Sequence, residues 1–285
     1  MAETEDVTER IAALPPLGEV IRDNGLDARR KLGQNFLLDL NLTGRIARAA
    51  GVLHGTVIEI GPGPGGLTRA LLLAGAEKVI AIERDSRAIT ALAPLVEAAA
   101  GRLEVIQADA LSVPVHLLGS EAKQRHIVAN LPYNIATPLL FGWLDQVAAF
   151  TSMTLMFQRE VAERITAAAG TAGYGRLSVM SQWLCEATML FDIPPRAFVP
   201  PPKVYSSVIR LVPRPAPLAD AEAGLLQEVT RLAFGQRRKM LRASLRSIGG
   251  EALLEAAGIA GNLRPETLQI NQFCNLAEAL RQQRS

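Results

Sequence analysis

The chain has 285 residues, which is longer than one typical domain and leaves room for a second, smaller one. Apolar residues make up 49% of it, so a large core can form, whereas the net charge of +2 excludes no class of partner. The acidic amino terminus lacks a secretory signal, no apolar run approaches membrane-spanning length, and the two cysteines and three histidines lack metal-ligand spacing. A cytoplasmic protein that uses neither a membrane nor a metal is therefore expected, with each cysteine as a small buried hydrophobe.

Strands and helices alternate along most of the chain, which predicts an α/β fold with a mainly parallel sheet. Residues 1–27 predict a polar arm with one short helix, residues 28–212 a catalytic domain, and residues 213–285 a smaller, all-helical domain that begins with a proline-rich linker at 213–217. In the catalytic domain, strands are predicted at 56–60, 78–82, 103–107, 127–129, 153–157, 187–193 and 207–211, and helices at 67–74, 137–147 and 159–168.

A glycine-rich turn joins the strand at 56–60 to the helix at 67–74. Glycines such as Gly61 and Gly63 lack a Cβ, so the backbone can approach a nucleotide-like ligand there. Glu83 ends the next strand about 20 residues after Gly63, which is the spacing of a carboxylate that binds ribose hydroxyls. Pro62 and Pro64 remove N–H donors that a pyrophosphate would use, so the turn favours S-adenosylmethionine over a dinucleotide. The alternative for Glu83 is a solvated strand end.

Asp109 follows the strand at 103–107. Its carboxylate could accept a hydrogen bond from the adenine amine of the cofactor. It could equally cap the turn that begins at Ala110. The sequence leaves both roles open.

The most informative stretch is Asn130-Leu131-Pro132-Tyr133, directly after the apolar strand at 127–129. Ligands of parallel α/β sheets bind at the carboxyl ends of the strands. The Asn130 amide oxygen and the Leu131 carbonyl, which Pro132 stiffens, can accept hydrogen bonds from the exocyclic amine of a planar base, and the Tyr133 ring can stack on that base. Taken alone, the tetrapeptide is equally consistent with an ordinary strand exit.

A basic segment lies in the carboxyl-terminal part of the chain. From residue 229 to 250 there are six basic residues and no acidic ones. Arg238, Arg242 and Arg246 repeat every four residues and would share one face of a helix, whereas Leu241 and Leu245 would face a core. Such a stripe of one sign suggests contacts with RNA phosphates, and its alternative is a solvated helix face.

Six separated motifs resemble those of the KsgA-type ribosomal RNA adenine dimethyltransferases, in the same order and between about residues 26 and 280. They lie at 31–37 (KLGQNFL), 59–63 (EIGPG), 130–134 (NLPYN), 174–179 (YGRLSV), 198–204 (FVPPPKV) and 234–239 (FGQRRK). One departure follows the fifth motif, where members of the family often carry Asp and this chain has Tyr205.

The resemblance implies a Rossmann-like class I S-adenosylmethionine-dependent methyltransferase sheet with a smaller all-helical carboxyl-terminal domain. It implies dimethylation of the N6 amines of two adjacent adenosines in a 3′-end hairpin of small-subunit rRNA, within an immature small ribosomal subunit, by a monomer. The implied base-binding residues are Asn130, Leu131, Pro132, Tyr133 and Phe198. The implied cofactor residues are Gln34, Asn35, Leu37, Gly61, Gly63, Glu83, Asp109 and Asn130, and the implied RNA-binding residues are Arg237, Arg238, Lys239, Arg242 and Arg246.

Individual residues also have structural alternatives. Phe198, which precedes three prolines, could be a core anchor of a rigid loop, and Asn35 could cap a helix. Three other functions remain for the chain as a whole. The first is a large-subunit rRNA methyltransferase of the antibiotic-resistance type, the second is a non-catalytic nucleic-acid-binding relative, and the third is an NAD-linked oxidoreductase argued from the glycine pattern alone.

Overall fold

A computed structural model describes residues 2–27, 34–236 and 238–285 of the protein. The strands are β1 (Phe36–Leu37), β2 (Thr56–Ile60), β3 (Lys78–Glu83), β4 (Leu103–Gln107), β5 (Arg125–Asn130), β6 (Ser152–Gln158), β7 (Cys185–Ile193), β8 (Phe198–Val199) and β9 (Ser206–Pro213). The helices are α1 (Ala2–Ala12), α2 (Leu17–Asp23), α3 (Leu40–Ala49), α4 (Gly66–Leu73), α5 (Ser86–Ala98), α6 (Tyr133–Leu144), α7 (Arg159–Thr166), α8 (Arg176–Leu184), α9 (Ala223–Gly235), α10 (Leu241–Ser244), α11 (Gly250–Ala256) and α12 (Ile270–Arg284).

The central element is a seven-stranded sheet in the order β4-β3-β2-β5-β6-β9-β7. The pairs β4–β3, β3–β2, β2–β5 and β5–β6 are parallel, as predicted. β2 is buried at every position, and three of its five residues, Val57, Ile58 and Ile60, are apolar, as expected for a strand covered on both faces. Because parallel strands end at one edge, the residues after β2, β3, β4 and β5 meet there.

Contacts divide the chain into two compact units. The first comprises residues 1–159 and 189–210, and the second comprises residues 160–188 and 211–285. The predicted boundary between residues 212 and 213 lies close to the last transition between the units, at residues 210 and 211, but residues 160–188 also group with the carboxyl-terminal part. Within the described residues 214–285 the regular elements are helical.

The amino-terminal segment differs from the predicted arm, because it forms two helices instead of one. Val7 and Ile11 of α1 lie in the main core cluster, and Val20 and Leu26 form a second cluster with Ala88 of α5. The two helices pack on α4 and α5 because their apolar side chains are spaced to form one face. The polar composition of the segment did not indicate this packing.

The second unit is held together by buried aromatic and aliphatic side chains. The Phe234 ring lies 5.9 Å from that of Tyr174 and 5.4 Å from that of Phe273. The predicted proline-rich linker is not a free spacer, since Arg214 N donates to the Leu184 carbonyl and Trp183 Nε1 donates to the Ala219 carbonyl, over 2.8 and 2.7 Å. Both ends of that stretch are therefore fixed to α8.

The predicted helical stripe of arginines is wrong. α9 ends at Gly235 and α10 covers only four residues, so Arg238 and Arg246 lie outside any α-helix. The backbone N–H groups of Leu241 and Arg242 donate instead to the carbonyls of Leu263 and Gly261. These tertiary hydrogen bonds replace a continuous helix across the segment.

Both cysteines are free and buried, as expected, and burial raises the pKa of the Cys185 thiol to about 12 and that of Cys274 to about 11. Among the described residues, no helix is both long enough and apolar enough to cross a membrane.

Candidate active site

A cleft lies at the carboxyl edge of the parallel strands, within the first compact unit. It is built from the segment around β1, the glycine turn, and the ends of β3, β4 and β5. Its lining includes all eight predicted cofactor residues and four of the five predicted base-binding residues: Gln34, Asn35, Leu37, Gly61, Gly63, Glu83, Asp109, Asn130, Leu131, Pro132 and Tyr133. Because the parallel strands end at the same edge of the sheet, residues that are far apart in the sequence lie together there. Asn35 and Asn130, for example, are 95 residues apart.

The glycine turn needs glycine at two positions for different reasons. Gly61 has φ 67° and its N–H donates to the Ile82 carbonyl at 2.9 Å, which fixes the turn to β3. Gly63 has φ 53°, and a Cβ there would lie 2.9 Å from Cε1 of Phe36. The absence of a side chain at Gly63 therefore lets β1 pack closely on the turn.

Glu83 is 7% exposed at the end of β3. One carboxylate oxygen accepts hydrogen bonds from the N–H groups of Arg84 and Asp85, both at 2.8 Å, and the other accepts from Gly63 N at 3.2 Å. Burial raises the pKa of Glu83, and these three N–H donors lower it by a smaller amount. Glu83 is thus a positioned acceptor in the cleft wall rather than a solvated strand end.

Both oxygens of Asp109 contact protein groups. Oδ1 accepts from Leu111 N at 3.1 Å, so the capping role is present. Oδ2 lies 3.0 Å from Nη1 of Arg84, an exposed ion pair. The residue also lines the cleft, so the two roles that the sequence left open do not exclude each other.

Asn130 ends β5, and its side-chain nitrogen donates to the Asn35 carbonyl at 3.2 Å. An amide that donates through its nitrogen presents its oxygen as an acceptor. The next residue, Leu131, is 1% exposed, and Pro132 precedes the first turn of α6. Residues 130–133 therefore connect β5 to α6 and also line the cleft.

Tyr133 begins α6 in the cleft wall. Its hydroxyl lies 2.6 Å from the Ser206 hydroxyl. Burial raises the pKa of the Tyr133 phenol, so it is neutral at physiological pH. The contact anchors the edge of the ring through its hydroxyl.

Phe198 is the one predicted base-binding residue that does not line the cleft. It is 2% exposed, belongs to the main core cluster, and pairs with Leu37 in the small antiparallel sheet of β1 and β8. This position corresponds to the core-anchor alternative, and its contact with a base stays a prediction.

Gln34 makes a hydrogen bond with Asp85 that the sequence did not suggest. Its Nε2 donates to Asp85 at 3.2 Å, and Asp85 also pairs with Arg87 at 2.6 Å. The Arg87 guanidinium holds the pKa of Asp85 below its usual range. An anionic Asp85 thereby holds the segment before β1 beside the end of β3.

Glu59 is a further residue of the site that was not predicted from the sequence. It is 1% exposed in β2, it lines the cleft, and Thr68 Oγ1 donates to its Oε2 at 2.6 Å. Burial raises the pKa of Glu59 to about 8, and the charge of Glu83 adds to this effect. An acid flanked by Ile58 and Ile60 in a buried strand was the signal available in the sequence.

The described basic side chains of the basic segment are exposed. Arg238, Lys239, Arg242 and Arg246 face solvent, whereas Leu241 and Leu245 are buried as predicted. Arg237 and residues 31–33 of the first motif lie outside the described residues. A cationic surface segment is therefore present without the helical geometry expected for it.

Comparison with known families gives one match that spans nearly the whole chain. The family described as "Ribosomal RNA adenine dimethylase" matches residues 25–282. A protein of Rhodospirillum rubrum named "Ribosomal RNA small subunit methyltransferase A" is 61% identical, over 94% of this chain and 93% of its own length. A protein of the same name from Paramagnetospirillum magneticum is 59% identical, over 95% and 96% of the two chains.

Solved structures agree on the fold. A dimethyladenosine transferase from Plasmodium falciparum superposes with a TM-score of 0.71 at 26% identity, covering 86% of this chain and 96% of that one. The 23S rRNA methyltransferase ErmE superposes with a TM-score of 0.65 at 29% identity, covering 87% and 100%. These similarities confirm the predicted class I methyltransferase fold.

Proposed function

The chain belongs to the ribosomal RNA adenine dimethylase family, and from this membership we propose that it dimethylates the N6 amines of two adjacent adenosines in a 3′-end hairpin of small-subunit rRNA. The observation that carries the proposal is the amide of Asn130, held by Asn35 so that its oxygen is the acceptor in the cleft. The relatives named for the small subunit are 55–61% identical over almost their full length, which favours that substrate over the one in the name of ErmE.

S-adenosylmethionine is the proposed methyl donor, and the cleft residues fit it. Glu83 offers a buried carboxylate suited to two ribose hydroxyls, and Asp109 offers an acceptor for the adenine amine. Gln34, Asn35, Leu37, Gly61, Gly63 and Asn130 complete the proposed cofactor surface. When bound, the cofactor supplies an already activated methyl group on a sulfonium, so the protein needs mainly to bind and orient.

The mechanism rests on orienting a weak nucleophile. The lone pair of an adenine N6 amine is delocalised into the ring. The Asn130 oxygen and the Leu131 carbonyl accept hydrogen bonds from its two N–H groups, which directs the nitrogen and favours a tetrahedral geometry as positive charge develops. Tyr133 stacks on the base, which offsets the loss of base stacking in the RNA, whereas a contact of Phe198 with the other face stays a prediction from the resemblance. No strong base is required, because the methylated ammonium loses its proton readily.

The same proposal assigns the larger parts of the chain. Residues 28–212 would form the catalytic domain and residues 213–285 the RNA-binding domain, with residues 1–27 as an amino-terminal segment. Arg237, Arg238, Lys239, Arg242 and Arg246 would contact RNA phosphates. The substrate would be an immature small ribosomal subunit, and the protein would act as a monomer.

Methyl transfer from labelled S-adenosylmethionine to immature small subunits, with nucleoside analysis of the product, tests the proposal. N6,N6-dimethyladenosine in small-subunit RNA is expected, and Asn130→Ala enzyme serves as the inactive control. Transfer only to isolated large-subunit RNA would move the substrate to the other subunit. Tight cofactor binding with no transfer to either RNA would favour a non-catalytic nucleic-acid-binding function.

A further inference from the structure

A second cavity lies in the first compact unit, apart from the candidate active site. It is formed by the end of α1 and the segment that follows it, by α3, and by the second half of α4, and its volume is about 510 Å³. It shares no lining residue with the cleft at the sheet edge. Its size lies within the range of small-molecule sites in proteins.

The walls are mostly apolar, and two leucines at the rim are unusually exposed. Leu40 of α3 is 46% exposed and Leu73 of α4 is 44% exposed. Gly44 lies one turn after Leu40, and the Arg48 guanidinium packs over it, since a Cβ at Gly44 would lie 3.1 Å from Nη1 of Arg48. A ligand with an apolar body would remove both leucines from water.

The charge of this cavity has one sign. Among the residues whose side chains the structure describes, Arg69 and Arg48 line it and no acidic residue does. Arg69 is 5% exposed, and Nη1 donates to the Pro15 carbonyl at 2.8 Å. Within the described part of the chain, its Nε has no hydrogen-bond partner and no carboxylate pairs with either arginine.

A buried guanidinium without a counter-charge is costly, and burial lowers the pKa of Arg69 accordingly. A purely apolar occupant would increase that cost by removing the remaining water. A carboxylate would instead gain charge-assisted hydrogen bonds from a planar donor group that protein contacts leave incompletely used. The positive charge of Arg69 and Arg48 thus favours a ligand with an anionic group, and the exposed Leu40 and Leu73 favour a ligand whose remaining part is apolar.

We propose that this cavity binds a small amphipathic carboxylate, with its carboxyl group between Arg69 and Arg48 and its apolar chain against Leu40 and Leu73. The proposal does not depend on methyl transfer or on the cofactor. Octanoate is a suitable probe, with 1-octanol as the same apolar body without charge and acetate as the charge without the body.

Titration calorimetry of each probe into the intact protein tests the proposal. Octanoate should bind saturably at one site, and acetate and 1-octanol should bind at least about tenfold more weakly. Arg69→Met and Arg48→Met should each weaken octanoate binding about tenfold, and Gly44→Val should weaken it by displacing the Arg48 guanidinium. Arg22→Met, at an exposed arginine outside the cavity, should leave binding unchanged.

Arg69 is buried, so its variant must first show an unchanged circular dichroism spectrum and cooperative unfolding. Arg48 is exposed and its variant keeps the proposal testable if Arg69→Met does not fold. Equal binding of 1-octanol and octanoate would overturn the proposal. So would undiminished octanoate binding in Arg48→Met, or the absence of saturable octanoate binding to the unmodified protein.

Discussion

The side-chain nitrogen of Asn130 donates a hydrogen bond to the main-chain carbonyl oxygen of Asn35, 3.2 Å away and 95 residues earlier in the chain. The contact joins the end of β5 to the segment before β1. The same hydrogen bond therefore positions Asn130, which is proposed to bind the base, and Asn35, which is proposed to bind the cofactor. It also assigns the amide orientation, because only the nitrogen can donate. The proposed catalytic acceptor is therefore oriented before any substrate arrives.

Asn130→Ala should lower kcat by about 10²-fold or more, since it removes an acceptor that acts as charge develops. The affinity for S-adenosylmethionine should fall much less. Single-turnover methyl transfer and equilibrium cofactor binding separate the two effects. Asn262→Ala, at an exposed asparagine of the second unit, is the control. Equal losses in turnover and cofactor affinity would contradict the orienting role of Asn130.

Tyr133 tests whether the ring or the hydroxyl is needed. Tyr133→Phe removes the 2.6 Å contact with Ser206 but keeps the stacking surface, so kcat/KM for RNA should change by less than about tenfold. Tyr133→Ala removes the surface and should reduce kcat/KM by about tenfold to a hundredfold. The pair of variants is compared by steady-state kinetics on small subunits. Similar losses in both would assign the effect to the hydroxyl contact and not to stacking.

Glu83 should make cofactor affinity depend on pH. Burial raises its pKa, and the ionised carboxylate is the stronger acceptor for ribose hydroxyls. As the pH falls, protonation therefore begins above the usual range of a glutamate, and the Kd for S-adenosylmethionine should rise there. Glu83→Gln should bind the cofactor about tenfold more weakly at pH 8 and show a flatter pH profile. Calorimetric Kd values from pH 5 to 8 measure both, and an unchanged Kd in Glu83→Gln would remove Glu83 from the cofactor site.

Much of this site could be predicted from the sequence because its residues follow strands. β-Branched apolar runs mark β2, β3 and β5, and parallel pairing brings the next residues of each strand to one edge. The reason for glycine at Gly63 could not be predicted, because it depends on the approach of Phe36 from β1. The break in the arginine stripe depends on hydrogen bonds from Leu241 and Arg242 to a loop about 20 residues later. Local patterns carry no information about such tertiary partners.

The pKa of Glu59, raised to about 8 by burial, should make stability depend on pH. A carboxyl group with a raised pKa in the folded state contributes stability fully below its unfolded pKa, and this contribution is lost as the pH rises through about 8. Glu59→Gln keeps an acceptor for Thr68 and carries no charge. Without cofactor, it should match the unmodified protein near pH 4 and exceed its free energy of unfolding by roughly 4 kcal/mol at pH 8.

Urea unfolding across that pH range measures the difference between the two proteins. Glu255→Gln, at an exposed position on α11, is the matched control and should give parallel curves. A constant difference between Glu59→Gln and the unmodified protein at every pH would show that Glu59 does not titrate in this window.

The basic segment should bind RNA through phosphates even though it is not one helix. Arg238, Arg242 and Arg246 are exposed on one short stretch of chain, and each phosphate contact releases counterions. Replacing all three by Ala should weaken RNA binding at low salt and reduce the slope of log K against log salt by about 2 to 3. The control replaces three exposed arginines of the first unit, Arg22, Arg45 and Arg48, which removes the same net charge. Filter binding to small-subunit RNA at several salt concentrations gives both slopes. The same slope for the two triple variants would show that the segment contributes only general charge, because a local contact surface must lose more when its own arginines are removed.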